Sequence, residues 1–474
     1  MVRQILRKEL LMNLLSLRFI LSLLLAISLF TASSFVFLNR YEKNTQDYWK
    51  ETNENLTGLK EQSRQLYRLA FYKQEIYKKP KPLTCFVEGY EKSLPDCIRC
   101  DAFMVDLPEI KSQSNFILPS FSDIDWVFIV SMILSFVALV FTYDSICGEK
   151  ETGTLKLMLA GTVPRYKVLL GKYFAAMLTL GIPLCIGLLV SLIIILFSRE
   201  VVLHPVEWLK ILTIMMLSFL CLSTFVLLGI FISIRTAHST NSMVVLLLLW
   251  VGLVILIPSF GRIVSDMYSR STTRVDLLRK LDEATEKVDD QEKAGAFGEN
   301  AGIMGGSRDN PMNNPPARAK YKTAGIEAKK RIIEEHHRQM LDQVLKGRNL
   351  TCLSPVVIYR RASETIAGTG VSRCVNLRSQ IRRYMENLQQ YIRDEDSKDT
   401  DSLHLICPDS SAAAGWKTIS HNPVDFDSVP KFQERDFALG ESLKLAIWDI
   451  GLLVLFNLVL FAASFVSFLR YDPR

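Results

Sequence analysis

The sequence predicts an α-helical integral membrane protein with six transmembrane helices, and three observations support this fold class. Apolar residues make up 49% of the 474 residues, and the mean hydropathy of +0.18 is high for a soluble chain of this length. The apolar residues are concentrated in runs of about 20, the length that crosses a bilayer as a helix. The net charge of +7 comes largely from lysine and arginine residues beside these runs, so we expect orientation in the membrane and no nucleic-acid partner.

Six segments are apolar over a length sufficient to span the hydrocarbon core of a bilayer. The third contains Pro183, which a membrane helix tolerates when neighbouring helices satisfy the freed carbonyl. The predicted spans cover residues 19–38, 126–143, 170–197, 208–233, 243–260 and 445–469.

The charges in the short flanks predict that both termini are cytoplasmic. Basic residues outnumber acidic ones before the first span, in the loop 144–172, between spans four and five, and after span six. With six spans these four segments share one membrane face, and the positive-inside rule identifies it as the cytoplasmic face. The basic, then apolar N-terminus differs from a signal peptide, because the apolar run is too long and no clear cleavage site follows. We expect an interfacial helix over 1–15 that leads into a retained first span.

Two long segments then lie outside the membrane. Charged residues and leucines at helical spacing predict a helix over 47–77 in the first of them, which the prolines at 80 and 82 end. The second is expected to be mainly helical, with an apolar stripe through its last helix and irregular chain at 298–316 and 395–437. Its three predicted helices cover 264–294, 318–346 and 375–394.

This reading divides the chain into five parts. The loop 144–172 lies between the second and the third span. The parts are 1–38 (interfacial helix and first span), 39–125 (exterior segment), 126–261 (spans two to five), 262–443 (exterior domain) and 444–474 (sixth span and cytoplasmic tail).

Six of the nine cysteines fall in the exterior segments. An even number of cysteines in an oxidising compartment predicts disulfides, with at least one bridge in each segment and one between the segments. Free thiols, and a redox or metal role for the Cys97–Cys100 pair, remain open as alternatives. The candidate disulfide cysteines are Cys85, Cys97, Cys100, Cys352, Cys374 and Cys407.

No motif for catalysis or for metal binding is visible in the sequence. His336 and His337 follow two glutamates, the wrong order for a zinc-binding helix. The phosphate-binding Gly-x-x-x-x-Gly-Lys-Ser/Thr loop is missing, so we expect neither enzymatic activity nor a cofactor in this chain. Asp449 and Asn457 are the unusual polar residues of the sixth span; we favour a structural role, because Asp449 lies near the outer end of that span, close to water.

The loop 144–172 carries the most informative pattern. Glu149 and Glu151 lie early in a predicted short helix, where carboxylates suit the positive end of the helix dipole. Gly153 would allow close approach of a partner backbone. An apolar side, suited to docking in a groove of a partner protein, would be formed by Leu155, Leu157, Met158 and Leu159.

This pattern resembles that of the permease subunits of ABC-2 type exporters, which have the type V transmembrane fold. The N-terminal Arg7-Lys8-Glu9-Leu10 fits the helix before their first span. Ser354-Pro355 and the stretch 364–369 resemble the branch with a large exterior insertion between spans five and six. The loop matches the family pattern at Asp144, Gly148, Glu149, Lys150, Glu151, Gly153, Thr154, Leu155, Pro164, Arg165, Gly171 and Lys172.

The resemblance implies a permease subunit in a bacterial inner membrane. It favours export over import, because the family mostly exports, and it does not identify the substrate. Its expected partners are a separate cytoplasmic ABC ATPase, which would hold ATP and magnesium, and a second permease copy or homologue. Two alternatives stay open: a membrane scaffold that transmits ATPase-driven force to an exterior partner, and a polytopic membrane enzyme. The residues to which the resemblance assigns contact with the ATPase are Glu149, Lys150, Glu151, Gly153, Thr154, Leu155 and Arg165.

Overall fold

A computed structural model describes residues 2–89, 91, 95–106, 124–160, 164–198, 200–260, 274–302 and 313–471. Six of its helices are long and apolar enough to cross a membrane, which confirms the six predicted spans. They are Leu17–Gln62, Trp126–Glu151, Arg165–Phe197, Pro205–Arg235, Ser239–Phe260 and Leu439–Leu469.

The fourth span lies at the centre of the bundle. It packs against the second, third, fifth and sixth spans, and 67% of its most apolar window is buried, against 11% for the fifth span. Gly229 of this helix faces Thr142 so closely that a built Cβ would lie 1.9 Å from the threonine Oγ1. The glycine therefore permits close packing of the second and fourth spans.

The two ends of the described chain, Val2 and Tyr471, and the described residues of the loop 144–172 lie at one end of the bundle. Arg18 at the start of the first span pairs with Asp144, at 3.0 Å, and Arg165 contacts the carbonyl of Tyr471 near the C-terminus. We call this end the terminal side and the opposite end the lobe side. The helix predicted over 1–15 is observed as Val2–Leu14, packed against the start of the third span.

The first span continues without a break into a helix of 46 residues, which corrects the prediction of a separate helix over 47–77. The helix ends at Gln62 because the backbone N–H groups of Leu66 and Tyr67 bond to the carbonyls of Asn422 and Ser420. A short helix and a two-stranded antiparallel sheet follow, and the sequence analysis missed the sheet. These elements are Leu66–Phe71, Gln74–Tyr77 and Cys97–Cys100.

A helical lobe with its own hydrophobic core forms on the lobe side. Its core combines the end of the helix Leu17–Gln62 and the sheet with the apolar stripe Leu377, Ile381, Tyr384 and Leu388. The predicted stripe is therefore confirmed. Residues 264–273 of one predicted helix, and 303–312 of the predicted loop, lie outside the described residues. The helices are Arg274–Lys293, Pro315–Leu350, Val371–Asp396 and the short Ser410–Trp416.

The helix Pro355–Ala367 was not predicted, and it joins the lobe to the bundle. It packs against the fourth and sixth spans, and its Tyr359 hydroxyl lies 2.7 Å from Ser218 Oγ of the fourth span. Its Arg361 forms an ion pair with Asp449 of the sixth span. Asp449 is only 5% exposed, so nearby water does not account for a carboxylate at this position. The ion pair with Arg361 compensates its charge instead.

The remaining short elements connect these parts. A 3₁₀ turn precedes the second span and another precedes the helix Pro355–Ala367, while π-helical turns interrupt the second and fifth spans. They are Pro82–Cys85, Thr351–Leu353, Ile129–Leu134 and Val251–Leu256.

All nine cysteines are free in the structure, so the disulfides are not confirmed. Cys97 and Cys100 occupy the two ends of one strand, which places their Cα atoms about 10 Å apart, beyond the limit of about 7 Å for a disulfide. Burial raises the pKa of Cys97 to about 11 and that of Cys100 to about 12. Since thiol reactivity requires the thiolate, these values disfavour a redox role for the pair.

Cys85 packs in the core of the bundle, whereas Cys100 packs in the core of the lobe. A bridge between these two would require the cores to rearrange. The other predicted bridges, including one between the two exterior segments, remain predictions that non-reducing peptide mapping tests.

Candidate functional site

The loop 144–172 folds into two short helices, where the sequence predicted one. They are Cys147–Glu151, which continues the helical run Trp126–Glu151 of the second span beyond its apolar part, and Thr154–Ala160. Gly153 joins them with φ of +73°, a left-handed conformation that glycine adopts without steric cost. Among the described residues no atom lies within 4 Å of the position that a Cβ would take, so the left-handed backbone is what requires glycine within this chain; approach of a partner backbone remains a prediction. Residues 161–163 lie outside the described residues.

A buried ion cluster fixes the first of these helices. Lys172 of the third span is 4% exposed, and its Nζ lies 2.9 Å from Glu9 Oε1 and 2.8 Å from Glu149 Oε1. A buried cation requires such partners, because its desolvation is otherwise uncompensated. Lys172 therefore connects the N-terminal helix, the loop and the third span.

Close backbone packing brings the N-terminal helix to this cluster. Gly171 precedes the lysine, and a Cβ built there would lie 2.8 Å from Ile5 Cγ2. Any larger residue at position 171 would push the N-terminal helix away from the third span. Glu9 depends on this packing for its position beside Lys172.

Two basic side chains of the loop bind the ends of spans. Lys150 Nζ donates to the carbonyls of Thr236, at 2.9 Å, and Ile234 at the end of the fourth span. Arg165 Nη1 donates to the carbonyls of Phe468 (3.0 Å), Leu469 (2.7 Å) and Tyr471 (2.9 Å) at the C-terminal end of the sixth span. Terminal carbonyls of a helix have no partner inside the helix and carry the negative end of its dipole. Both cations thus hold a helix end to the loop.

The loop also contacts the start of the fifth span. Glu151 accepts hydrogen bonds from the backbone N–H and the hydroxyl of Ser239, at 2.8 and 2.7 Å. This is the positive end of that helix, where a carboxylate is favourable. In addition, Ser233 Oγ of the fourth span accepts from the N–H groups of Ile146 and Cys147, at 2.9 and 3.0 Å. The loop is consequently bound to the ends of the third, fourth, fifth and sixth spans.

The exposed surface of the loop is narrower than the sequence predicted. Leu155 is 0% exposed and belongs to the core of the bundle, so it offers no docking surface; this corrects the prediction. Leu157 is 78% exposed, and Thr154 and Lys156 beside it are also exposed. These three residues form the outer ridge of the second helix, and we call them the ridge. The side chain of Leu159 lies outside the described residues.

Of the seven predicted residues, the structure brings four to the ends of spans. These are Glu149, Lys150, Glu151 and Arg165, while Gly153 is the joint and Thr154 lies on the ridge. The sequence analysis missed the partners on other segments, because pairing over such separations leaves no local pattern. For Glu9, a signal was present, since it is the single acid of a basic helix. The missed partners are Glu9, Arg18, Ser233 and Ser239.

Within the described part of the chain, no group of three or more histidine, cysteine, aspartate or glutamate side chains is placed to hold a metal ion. The charged groups of the loop instead pair with one another, with hydroxyls or with helix ends. The arrangement is suited to holding and moving helices.

Comparison with known proteins agrees with this architecture. A family model described as ABC-2 family transporter protein matches residues 3–473. No curated protein is significantly similar to the chain. Because the family match covers nearly the whole chain, including all six spans and the loop, the chain belongs to the ABC-2 family of transporter proteins and is a multi-pass membrane permease component of an ABC transporter.

Proposed function

We propose that this permease works as an exporter subunit and that the loop 144–172 receives the motion of a separate cytoplasmic ABC ATPase. One observation carries the proposal: between Glu149 and Lys172, a segment that includes the start of the third span, charged side chains bind the ends of the fourth, fifth and sixth spans and one another. A displacement of that segment acts on four helices together. ATP and magnesium would be held by the ATPase, and closure of the ATPase dimer would supply the displacement.

The ridge is the part of the loop that we assign to contact with the ATPase. Leu157 is nearly fully exposed on a helix whose inner side, at Leu155, is buried. A short helix with one exposed apolar side chain fits a groove on a partner surface. Thr154 and Lys156 would form the polar rim of that contact.

The inner residues of the loop have a different role in this proposal. Lys150, Glu149 and Arg165 face the spans and transmit the displacement; they do not form the contact surface. This division separates binding of the ATPase from transmission. A variant of the ridge should release the ATPase, whereas a variant of an inner residue should retain it and lose its effect on transport.

The same proposal places the terminal side in the cytoplasm of a bacterial cell and the lobe outside its inner membrane. Basic flanks on the terminal side support this orientation. A second copy of the permease, or a homologue, would complete the transporter. Export is the direction typical of the family that the chain resembles, and the substrate would be selected on the lobe side.

The ridge is tested by replacing Leu157 with aspartate. Burial of one leucine contributes about 1.5–3 kcal/mol, so we expect the amount of co-purifying ABC ATPase to fall about tenfold or more. The matched control is Leu353→Asp, because Leu353 is 66% exposed but lies on the lobe side. If the ATPase co-purifies equally with both variants and with the wild type, the ridge does not form the contact with the ATPase.

The orientation is tested by labelling single cysteines from outside the cell. Lys60→Cys lies near the outer end of the long first helix and Lys156→Cys lies on the ridge, and both lysines are exposed. In a background without native cysteines, a membrane-impermeant maleimide should label position 60 in intact cells and position 156 only after permeabilisation. The reverse pattern would invert the assigned orientation. A label at Gly305 would report on the same face, although that residue lies outside the described residues.

A further inference from the structure

A small pocket lies where the lobe meets the lobe-side end of the bundle, and we call it the junction pocket. Its walls come from the start of the fourth span, the segment just before the sixth span, the turn Pro82–Cys85 and the lobe helix Val371–Asp396. The pocket has a volume of about 30 Å³, which holds a group of a few atoms and not a whole small molecule. Among the residues that line it are Leu83, Lys210, Ala367, Arg373, Asp436 and Phe437.

Lys210 brings a buried ammonium group to this pocket. It lies near the start of the fourth span and is 6% exposed. Its Nζ donates one hydrogen bond, to the carbonyl of Phe437 at 3.3 Å, and in the described part of the chain it has no ion-pair partner. An ammonium group has three hydrogens to donate, so two of them find no acceptor among the described residues. A buried charge without a counter-ion is costly, and within a membrane helix it usually marks a functional site.

Three described carboxylates line the junction pocket, and each of them binds another group. Asp436 forms an ion pair with Lys81. Glu434 lies 3.2 Å from the Nζ of the same lysine and 3.0 Å from Arg373 Nε. Glu207 accepts a hydrogen bond of 2.6 Å from a backbone N–H group at the start of its own helix. Four basic side chains line the same wall, so the described lining carries an excess of one positive charge.

We propose that the junction pocket binds the phosphate or carboxylate group of a ligand and that Lys210 is the counter-ion of this group. The two remaining hydrogens of the ammonium group would bind the oxygen atoms of the anion, and hydrogen bonds between charged partners are the strong ones. The anion would lie between the fourth span, at the centre of the bundle, and residues of the lobe. A bound ligand would therefore fasten the lobe to the bundle. This inference does not depend on the role of the loop 144–172.

Inorganic phosphate is the probe for the junction pocket. Calorimetric titration of the full-length protein in detergent, at low salt, should show saturable binding. Lys210→Met removes the ammonium group and should weaken phosphate binding about tenfold or more, the usual effect of losing a hydrogen bond between charged groups. The matched control is Lys444→Met, an exposed lysine near the lobe-side start of the sixth span, which should leave the affinity within about twofold. Binding by Lys210→Met as tight as by the wild type would overturn the proposal.

A second variant should act in the opposite direction. Glu207→Gln removes one negative charge from the wall of the pocket, and its amide oxygen can still accept the hydrogen bond from the backbone N–H of His204. Phosphate should therefore bind about threefold or more tightly than to the wild type. A pocket that does not bind an anion predicts no such gain. Unchanged or weaker phosphate binding by Glu207→Gln would contradict the proposal.

Thermal unfolding in a buffer without phosphate separates binding from structure. If Lys210 serves a ligand, Lys210→Met removes a buried charge that lacks a counter-ion, and the melting temperature of the protein stays equal or rises. If Lys210 serves the fold, through its hydrogen bond to the carbonyl of Phe437, the melting temperature falls. That result would overturn the proposal even if phosphate binding is also lost.

The source of the anionic group is distinguished by adding lipid to the protein in detergent. Phosphatidylglycerol carries a net negative headgroup, and phosphatidylcholine at the same mole fraction is the neutral control. If phosphatidylglycerol raises the melting temperature of the wild type but not that of Lys210→Met, the ligand is a lipid headgroup. If phosphate binds and the two lipids act alike on both proteins, the ligand is a water-soluble anion. Absence of saturable phosphate binding, together with no selective effect of phosphatidylglycerol, would refute the site.

Discussion

Replacement of Lys172 by methionine should lower the free energy of unfolding by about 3–5 kcal/mol, the usual effect of removing one partner from a buried ion pair. The change leaves Glu9 and Glu149 close together, each mostly buried, with no cation between them. Denaturant titration in detergent measures the effect. The matched control is Lys156→Met, whose exposed side chain should contribute no more than about 0.5 kcal/mol.

A second substitution tests whether uncompensated charge is the cause. Glu149→Gln, added to Lys172→Met, should recover part of the lost stability, because it removes one of the two unpaired carboxylates. If the double variant is less stable than the single one by the sum of the separate effects, the ion cluster does not act as a unit. In that case the loop is held mainly by its contacts with the fourth and sixth spans.

Replacement of Arg361 by methionine should have an effect of similar size, about 3–5 kcal/mol. It leaves Asp449 buried in the sixth span without its cation. The same change loosens the helix Pro355–Ala367, which connects the lobe to the bundle. We therefore expect proteolysis of the lobe to become faster as well, measured by limited digestion of the protein in detergent.

Two substitutions on the sixth span serve as a control and as a rescue of stability. Lys444→Met removes an exposed cation from the same helix and should have little effect. Asp449→Asn, combined with Arg361→Met, should restore most of the stability, since no uncompensated charge remains. Failure of this rescue would show that Arg361 contributes through packing and not through charge.

The sequence predicted the elements whose signal is local. Long apolar runs predicted the six spans, and most of the predicted ends lie within a few residues of the observed helix ends. Length and hydropathy alone are enough to identify such spans. The helix Val371–Asp396 of the lobe was predicted from its apolar stripe, and Leu377, Ile381 and Leu388 are indeed buried. In each case one segment carries the whole pattern.

Elements that depend on distant partners were missed. The helix Pro355–Ala367 has polar residues on several sides. It is stabilised by contacts with the second, fourth, fifth and sixth spans, and the Ser354 hydroxyl before it donates to the carbonyl of Leu253 at 2.6 Å. The strand Gln74–Tyr77 has four residues, too few for a period to be visible. Its conformation is determined by pairing with Cys97–Cys100.

For the candidate site, the sequence identified the residues but not the directions of their side chains. Leu155 and Leu157 are two residues apart on a short helix, so one is buried and the other exposed. Arg165 and the carbonyls that it binds are about 300 residues apart in the chain. Only the packing of the first, third and sixth spans brings such groups together.

The length of the helix Leu17–Gln62, which contains the first span, affects how the lobe moves. Its base packs in the core of the bundle through Phe19, Ala26 and Phe30, and its far end packs in the core of the lobe through Leu59. At about 1.5 Å per residue, its 46 residues form a rod about 69 Å long, more than twice the thickness of the hydrocarbon layer. A tilt of about 5° at the base of a rod of this length moves its tip by about 6 Å, roughly one helical turn. A small rotation within the bundle is therefore amplified into a displacement of the lobe that is large enough to open or close a contact between side chains.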